Sequence, residues 1–487
     1  MKIAFDNSFH RMMEGFYAPA EAAPPPAPKL LAFNRPLAER LGIDLTETDD
    51  AGLARLFSGA ELPGGANPLA FAYAGHQFGH FSPQLGDGRA LLLGELVAPD
   101  GARFDVQLKG SGPTAFSRNG DGKAAIGPVL REYLVSEAMA AMGVPTTRSL
   151  AAVATGDRVQ RERGHPGAVL TRIASSHIRV GTFQFFAAHF GADHVAQLSH
   201  YSIRRHFPEL GEAPNPHLAL LDRVIGLQCD LVARWLGIGF IHGVMNTDNI
   251  AISGETIDYG PCAFMDRFAA GTVFSSIDAT GRYSYGRQPQ MMHWNMARFA
   301  EALLPAINAV DPEGVEEAKT IVDGIPDRFR SAWLARMRGK LGIAGAFDGE
   351  GDLIDGLFEA LERHGVDFTG FFRALAALLR GDGAPLAALL PESEAMAPWV
   401  ADWWQRIEAE AADPVARAAA MDAVNPLYIP RNHRVEAALE AAEGGDMAPW
   451  EQLLEVVRHP YAERPEWQDF ARPAPEDFGP YTTFCGT

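Results

Sequence analysis

Two short segments hold the groups most capable of chemistry: His242-Gly243-Val244-Met245-Asn246-Thr247-Asp248-Asn249 and, a turn further on, Ile257-Asp258-Tyr259-Gly260. Asn249 and Asp258 offer an amide oxygen and a carboxylate, hard donors of the kind a Mg²⁺ or Mn²⁺ ion takes when it also binds phosphate oxygens. Ile250 to Ile252, the turn Ser253-Gly254 and Thr256-Ile257 read as a short hairpin that folds Asp258 back beside Asn249. Asp248 is the sole carboxylate within the loop, placed either to cap a turn or to accept a hydroxyl proton.

Small-molecule kinases of the aminoglycoside type carry His-Gly-Asp, four residues, then Asn, followed by an Asp-Phe-Gly-like segment whose Asp holds magnesium. On that pattern the base position here is Val244, while both metal-ligand positions are kept. Metal-nucleotide binding is expected; ordinary γ-phosphoryl transfer is not.

Phosphates need cations, and the sequence offers several upstream. Lys109 ends a strand-like stretch and Glu132 follows 23 positions later on a helix, the order in which kinases build the ion pair that aligns nucleotide phosphates. Gly86, Gly88 and Arg89 in LGDGR, and Asp121, Gly122 and Lys123 in SRNGDGK, form loops whose amides can approach phosphate, although such loops are commonly plain turns. Arg172 and Arg179 would add two further guanidinium groups to the same cleft. His76 and His80 have helical metal-ligand spacing, but Gly75 and Gly79 argue against a helix, so they read as structural. His242 reads as a loop-orienting residue, Cys229 and Cys262 as core residues, and Cys485 as a terminal thiol open to redox chemistry.

The elements that must position these groups follow from periodicity. Leu91 to Val97, the turn Pro99-Asp100-Gly101 and Phe104 to Lys109 read as a hairpin with Asp105, Gln107 and Lys109 on its polar face. Pro128 opens a helix running to Met142, Ala168 to Ile173 reads as a strand, and Leu221 to Leu236 as a buried helix ahead of the catalytic loop. The Pro-rich stretch 18–28 should run as an extended strap. The fold class expected is α+β, a protein-kinase-like two-lobed fold. Residues 1–85 would form an N-terminal arm and strap, 86–185 a small lobe, 186–300 a large lobe, and 301–487 a helical extension packed on the large lobe, with a Cys tail.

A length of 487 residues leaves room for about three domain-sized units. The net charge of −19 disfavours nucleic acid and anionic membranes as partners. No secretory signal or membrane-length apolar run is evident, and three scattered cysteines suit a reducing compartment, so the expected location is cytoplasmic.

The strings FDNSF, YAGHQFGHFSPQLGDGRALLLGE, QLKGSGPTAFSRNGDGKAAIGPVLREYLVSEAM, HGVMNTDNIAISGETIDYGPCAFMD and the FCGT ending together resemble the selenoprotein O family along essentially the whole chain. The resemblance implies a kinase-like fold that binds ATP reversed and transfers AMP to protein Ser, Thr or Tyr hydroxyls, with UTP and UMP as the variant. It implies Lys109 and Glu132 as the small-lobe pair, Gly86, Gly88, Arg89, Asp121, Gly122, Arg172 and Arg179 around the nucleotide, Asp248 as proton acceptor, and Asn249 and Asp258 as metal ligands. In some bacterial members a cysteine downstream of the metal aspartate pairs with the terminal one; here that stretch reads VFSSIDATGRYSYG, with Phe274 at the expected position. Three other activities remain compatible with the residues: phosphoryl transfer with Asp248 as base, nucleotide sensing without catalysis, and thiol chemistry at Cys485.

Overall fold

The computed structural model describes residues 3–46, 48–161, 163–390 and 396–484. Cys485 lies outside them. Its strands are β1 (Tyr17–Pro19), β2 (Lys29–Phe33), β3 (Leu69–Phe71), β4 (Gly75–Gln77), β5 (His80–Ser82), β6 (Ala90–Val97), β7 (Arg103–Lys109), β8 (Ala124–Ala125), β9 (Arg148–Gln160), β10 (Gly164–Ala174), β11 (Phe240–Ile241) and β12 (Ala263–Phe264). The helices ahead of the C-terminal region are α1 (Ser8–Met12), α2 (Arg35–Arg40), α3 (Asp50–Ser58), α4 (Ile126–Ala141), α5 (Val180–His189), α6 (Ala192–His206), α7 (Pro216–Gly237) and α8 (Gln288–Val310). The main sheet is antiparallel in the order β1-β3-β6-β7-β10-β9-β2, with β8 on β10. A helical region follows, so the fold is α+β.

Period-two alternation decides what each face of this sheet does. Leu91, Leu93, Val106, Leu108, Val169 and Ile173 point to one side, into a core closed by Leu37, Leu53 and Phe57 of α2 and α3. Leu92, Ala168 and Leu170 point to the other, where Leu130 and Leu134 of α4 cover them. The expected β6–β7 hairpin forms with Ala90 opposite Lys109 and Val97 opposite Arg103. Its polar face, however, is not solvated: Asp105, Gln107 and Lys109 are all buried, held by buried charged partners instead of water. Residues 1–85, expected as an arm, contribute β1, β2 and β3 to the sheet as well as the helices on its apolar face. The Pro-rich stretch runs extended, hung on backbone bonds from Ala23 to Ser111 and from Ala27 to Thr155.

Helix α7 is capped by Asn215, whose side chain accepts from Leu218 N, and starts with Pro216 at a position where a missing N–H costs nothing. Its stripe of Val224, Ile225, Leu231, Val232 and Trp235 is fully buried. The short antiparallel pair β11–β12 clamps the base of the loop that follows α7. The hairpin expected over 250–257 is absent: Ile250 O and Ile252 N bond to Val180 and Ile178, and Thr256 bonds to Pro145 and Thr147. The chain does turn at Gly254, but neighbouring elements offer better-placed partners than the two short arms offer each other.

After residue 310 two helical groups separate. Helices between Ile325 and Asp422 build a second core around Phe368, Phe371, Trp399 and Trp403. The pair Asn432–Glu443 and Ala448–Val457 turns back and packs on α4, with Trp450 Nε1 donating to Leu130 O at 3.2 Å. The C-terminal region was expected on the large lobe alone; the apolar back of α4 draws part of it to the sheet side.

A buried polar knot ties the sheet to α6. Arg205 bonds Glu95 of β6 and donates to Asp105 of β7 at 2.6 Å, while His177 Nδ1 lies 2.9 Å from Asp105. Burial opposes ionisation of Asp105, but Arg205 and then His177 outweigh it, holding the carboxyl below its usual range, whereas burial keeps His177 neutral. Replacing Arg205 by Met should strand two carboxylates in a dry interior and cost about 3–5 kcal/mol in urea unfolding. A loss below about 1 kcal/mol would mean that the knot is not the joint described.

Candidate active site

The loop 242–249 is shaped from within. His242, stacked on Trp235, is held neutral by burial; its Nε2 lies 2.9 Å from Ile257 O, and Nδ1 accepts from Val244 N at 3.4 Å. One ring therefore fastens both halves of the loop, as a Nε2–H tautomer. Asn249 Nδ2 donates to Val244 O at 3.0 Å, leaving its oxygen as the metal-capable atom. Asp258 sits in the left-handed region at φ 65, a conformation Asp tolerates better than most residues, with Gly260 N turned back to its carbonyl at 2.9 Å.

Three cations converge on the Asp258 carboxylate. Lys109 Nζ donates to Oδ1 at 2.8 Å, Arg172 to Oδ1 at 2.7 Å and Arg179 to Oδ2 at 2.9 Å. Behind them Glu132 of α4 accepts from Lys109 at 2.7 Å and from Arg172 Nε at 2.9 Å. Burial works against both carboxylates being charged. The neighbouring cations win in each case: Arg172 and Lys109 lower Glu132, and Lys109, Arg172 and Arg179 take Asp258 well below the ordinary range. Register accounts for the convergence, since Arg172 of β10 pairs with Gln107 and so shares a face with Lys109 two residues on.

These groups line one cleft of about 660 Å³. Gly86, Gly88, Arg89, Lys109, Asp121, Gly122, Arg172, Arg179, Asp248, Asn249 and Asp258 all border it, with Val244 beside them. Glu132 stands one layer behind. The loop residue Asp121 is bound by Arg161 at 2.9 Å, and Lys123 by Asp157 at 2.8 Å, so both shape the rim. The donors of Asn249 and Asp258 are oxygen only. No group of three or more His, Cys, Asp or Glu side chains is placed to hold a metal among the described residues. That suits a hard divalent ion completed by phosphate oxygens and water, not a self-sufficient protein cage.

Sequence reasoning missed one wall of the cleft. The β4–β5 hairpin, far upstream, grips the catalytic loop: His76 N donates to Thr247 Oγ1 at 2.7 Å, Gln77 Nε2 to Asp248 Oδ2 at 3.3 Å, and Phe78 N to Asn246 Oδ1 at 3.2 Å. A Cβ on Gly75 would run into the Asp248 carboxylate, so only glycine permits this approach. Tyr73 lies beneath Arg179, whose guanidinium is 4.6 Å from the ring centre, and buried Asp87 is 3.7 Å from Arg179. The signal was the string YAGHQFGHF itself; its histidines drew attention, yet His76 bonds Gln184 and His80 is exposed on the next strand. Cys262 and Cys229 are buried, their thiols pushed up by burial to about 12 and about 11. Phe274 packs on Tyr481, and its carbonyl accepts from Thr483 N at 2.7 Å, which docks the C-terminal segment beside the cleft.

Comparison with known proteins agrees along the chain. The profile of the family described as "Protein adenylyltransferase SelO" matches residues 1–458. A protein nucleotidyltransferase YdiU of Sphingopyxis alaskensis is 77% identical over 487 residues, covering 100% of both chains. A namesake from Cereibacter sphaeroides is 55% identical over 489 residues, again 100% of both, and one from Chromobacterium violaceum is 54% identical over 97% of this chain and 99% of its own. The chain is thus a nucleotidyltransferase, an enzyme whose substrate is a nucleotide. The chain belongs to the SelO family. Among the described residues no helix is long and apolar enough to cross a membrane.

Asp248 yields a test independent of turnover. Burial raises its carboxyl from 3.8 to about 6, and Oδ1 is buried without a hydrogen-bond partner. The folded state therefore binds a proton that the unfolded state has released between these values, so stability falls as pH rises through the window and stays lower above it. With chelator present, Asp248→Asn should raise unfolding stability at pH 7.5 by up to about 3 kcal/mol, with the gain shrinking towards pH 4. A loss of stability at pH 7.5 would overturn this assignment of the buried carboxylate.

Proposed function

We propose that the protein transfers AMP from ATP to Ser, Thr or Tyr hydroxyls of other proteins, releasing pyrophosphate, on a kinase-like scaffold in which the nucleotide lies reversed. Residues 86–185, together with the strands and helices that residues 1–85 add to their sheet, and residues 186–300 serve as its two lobes. The observation that carries the reading is the ring of Lys109, Arg172 and Arg179 around Asp258, in a loop whose usual base position is Val244. A kinase needs one lysine at its phosphates; two additional buried arginines suit a triphosphate whose β- and γ-groups point inward. Packing adds support. The segment Tyr73–Gln77 lies against the start of α5, with Ala74 N bonded to Gly181 O at 2.9 Å, filling space beside Arg179 where a base would otherwise enter.

In this arrangement Lys109, Arg172 and Arg179 hold the β- and γ-phosphates, and Glu132 keeps Lys109 and Arg172 aimed. Amides of the loops at Gly86–Arg89 and Asp121–Gly122 approach the rest of the nucleotide. Asn249 and Asp258 would hold Mg²⁺ or Mn²⁺, which supplies charge neutralisation at the phosphate oxygens. The acceptor oxygen attacks the α-phosphorus, the bond to the bridging oxygen of the β-phosphate breaks, and pyrophosphate leaves with the bond electrons. Asp248 takes the hydroxyl proton. Its burial beside the hairpin keeps that carboxylate basic enough for the task. UTP fits the same phosphate chemistry, with UMP transferred in place of AMP. The acceptors' hydroxyl chemistry demands neither nucleic acid nor membrane.

Incubation with ATP labelled at the α-phosphate should mark acceptor protein, and ATP labelled at the γ-phosphate should not. Label from the γ position alone would instead establish a phosphotransferase using Asp248 as base. Asp258→Asn should reduce transfer at least about 10³-fold and weaken metal-nucleotide binding, whereas Asp248→Asn should lower kcat by about 10²-fold or more with KM for ATP little changed. Near-normal kcat in both variants would rule out the site.

A further inference from the structure

Beyond the cleft's edge, a cation from the segment around residue 282 lies against the tip of the hairpin that supports Asp248. Arg282 lies over Trp294 at 4.9 Å and beside Tyr283 at 5.8 Å, and a Cβ on Gly79 at the hairpin tip would be 3.6 Å from its guanidinium. Its neighbours fix it firmly. Asp278 accepts the backbone N–H groups of Arg282 and Tyr283, each at 2.8 Å, and Tyr283 OH donates to Asn246 at 2.6 Å, two residues before Asp248.

Among the described residues Arg282 enters no ion pair with a carboxylate; its side chain bonds the Tyr283 hydroxyl, and its buried Nε has no hydrogen-bond partner. The contrast on the same ring is instructive: Arg298 stacks on Trp294 at 5.2 Å but is matched by Glu301 at 2.5 Å. Arg282 is thus a guanidinium held in place without a carboxylate partner in a chain of net charge −19. The hairpin that sets Gln77 against Asp248 turns at Gly79, and that turn lies beside Arg282. Exposed Phe81 and Ile277, at 43% and 49%, provide apolar rim on this side.

We infer that Arg282, held over Trp294, forms a carboxylate-binding subsite that receives an Asp or Glu side chain of the acceptor protein a few residues from the hydroxyl being modified. This rests on the nucleotidyl-transfer reading, in which Asp248 marks where the hydroxyl enters. The subsite selects acidic acceptor segments through a planar, two-pronged hydrogen bond that lysine in the same place could not make.

The test uses serine peptides with an aspartate stepped through the flanking positions, each paired with its asparagine counterpart. Binding is read by fluorescence anisotropy and transfer by label from α-labelled ATP. At one or two spacings the wild-type enzyme should favour the aspartate peptide by about five- to tenfold in kcat/KM and in affinity. Arg282→Gln should erase that preference while leaving the asparagine peptide within about twofold, and Arg282→Glu should turn the preference toward a lysine counterpart. Should these variants fold poorly, weakening of the wild-type preference at about 0.5 M salt carries the test. No preference at any spacing, or an equal loss for both peptides, would overturn the subsite. A binding preference without label transfer would sustain the subsite and defeat the transferase reading, whereas transfer without preference would do the reverse.

Discussion

The Asp258 carboxylate is the constraint on which the rest of the molecule depends. Three cations within 2.9 Å of it would repel one another in a dry interior, and they stay together because Asp258 and Glu132 lie between them. This balance is local: the chain is acidic overall, yet here positive charge is concentrated and compensated group by group. In the proposed reaction incoming phosphate would replace part of the carboxylate's role without new charge having to be created, the sense in which such a site is preorganised.

Holding that cluster sets demands on every layer around it. Lys109 and Arg172 must project from neighbouring strands on one face, so the opposite face must be apolar and covered, which α2 and α3 do. Glu132 must not drift, so α4 is packed from behind by the pair of helices spanning 432–457, with Trp450 against Tyr133. The turn carrying Asp258 must stay in reach of Asn249, and this is secured by His242 and by the β11–β12 pair, not by a hairpin of its own.

The amino-terminal hundred residues acquire a meaning that their composition hides. They complete the sheet, cover its apolar face, and send β4 and β5 across to the catalytic loop, where Gly75 and Gln77 form the wall against which Asp248 is buried. The tip of the same hairpin lies beside Arg282. Nucleotide chemistry and acceptor recognition thus share one mechanical support.

Much was legible in the residues alone. Asn249, Asp258, Lys109 and Glu132 declare themselves because their types follow in order the pattern of a kinase phosphate-and-metal site, which is a property of the linear sequence. The helix α7 and the β6–β7 hairpin were readable because spacing along helices and strands constrains which side chains share a face, and that is a local property. What the sequence could not decide was partnership across long separations: that the polar face of β7 points inward, that residues 251–256 bond to segments near 146 and 179, and that a hairpin at residues 75–82 closes on residue 248. Such contacts depend on how whole elements pack, a global compromise among buried area, charge pairing and hydrogen-bond satisfaction that no local window contains. Motif order in the sequence therefore settled which residues could do the chemistry, and tertiary packing settled which of them surround Asp258 and how deeply Asp248 is buried.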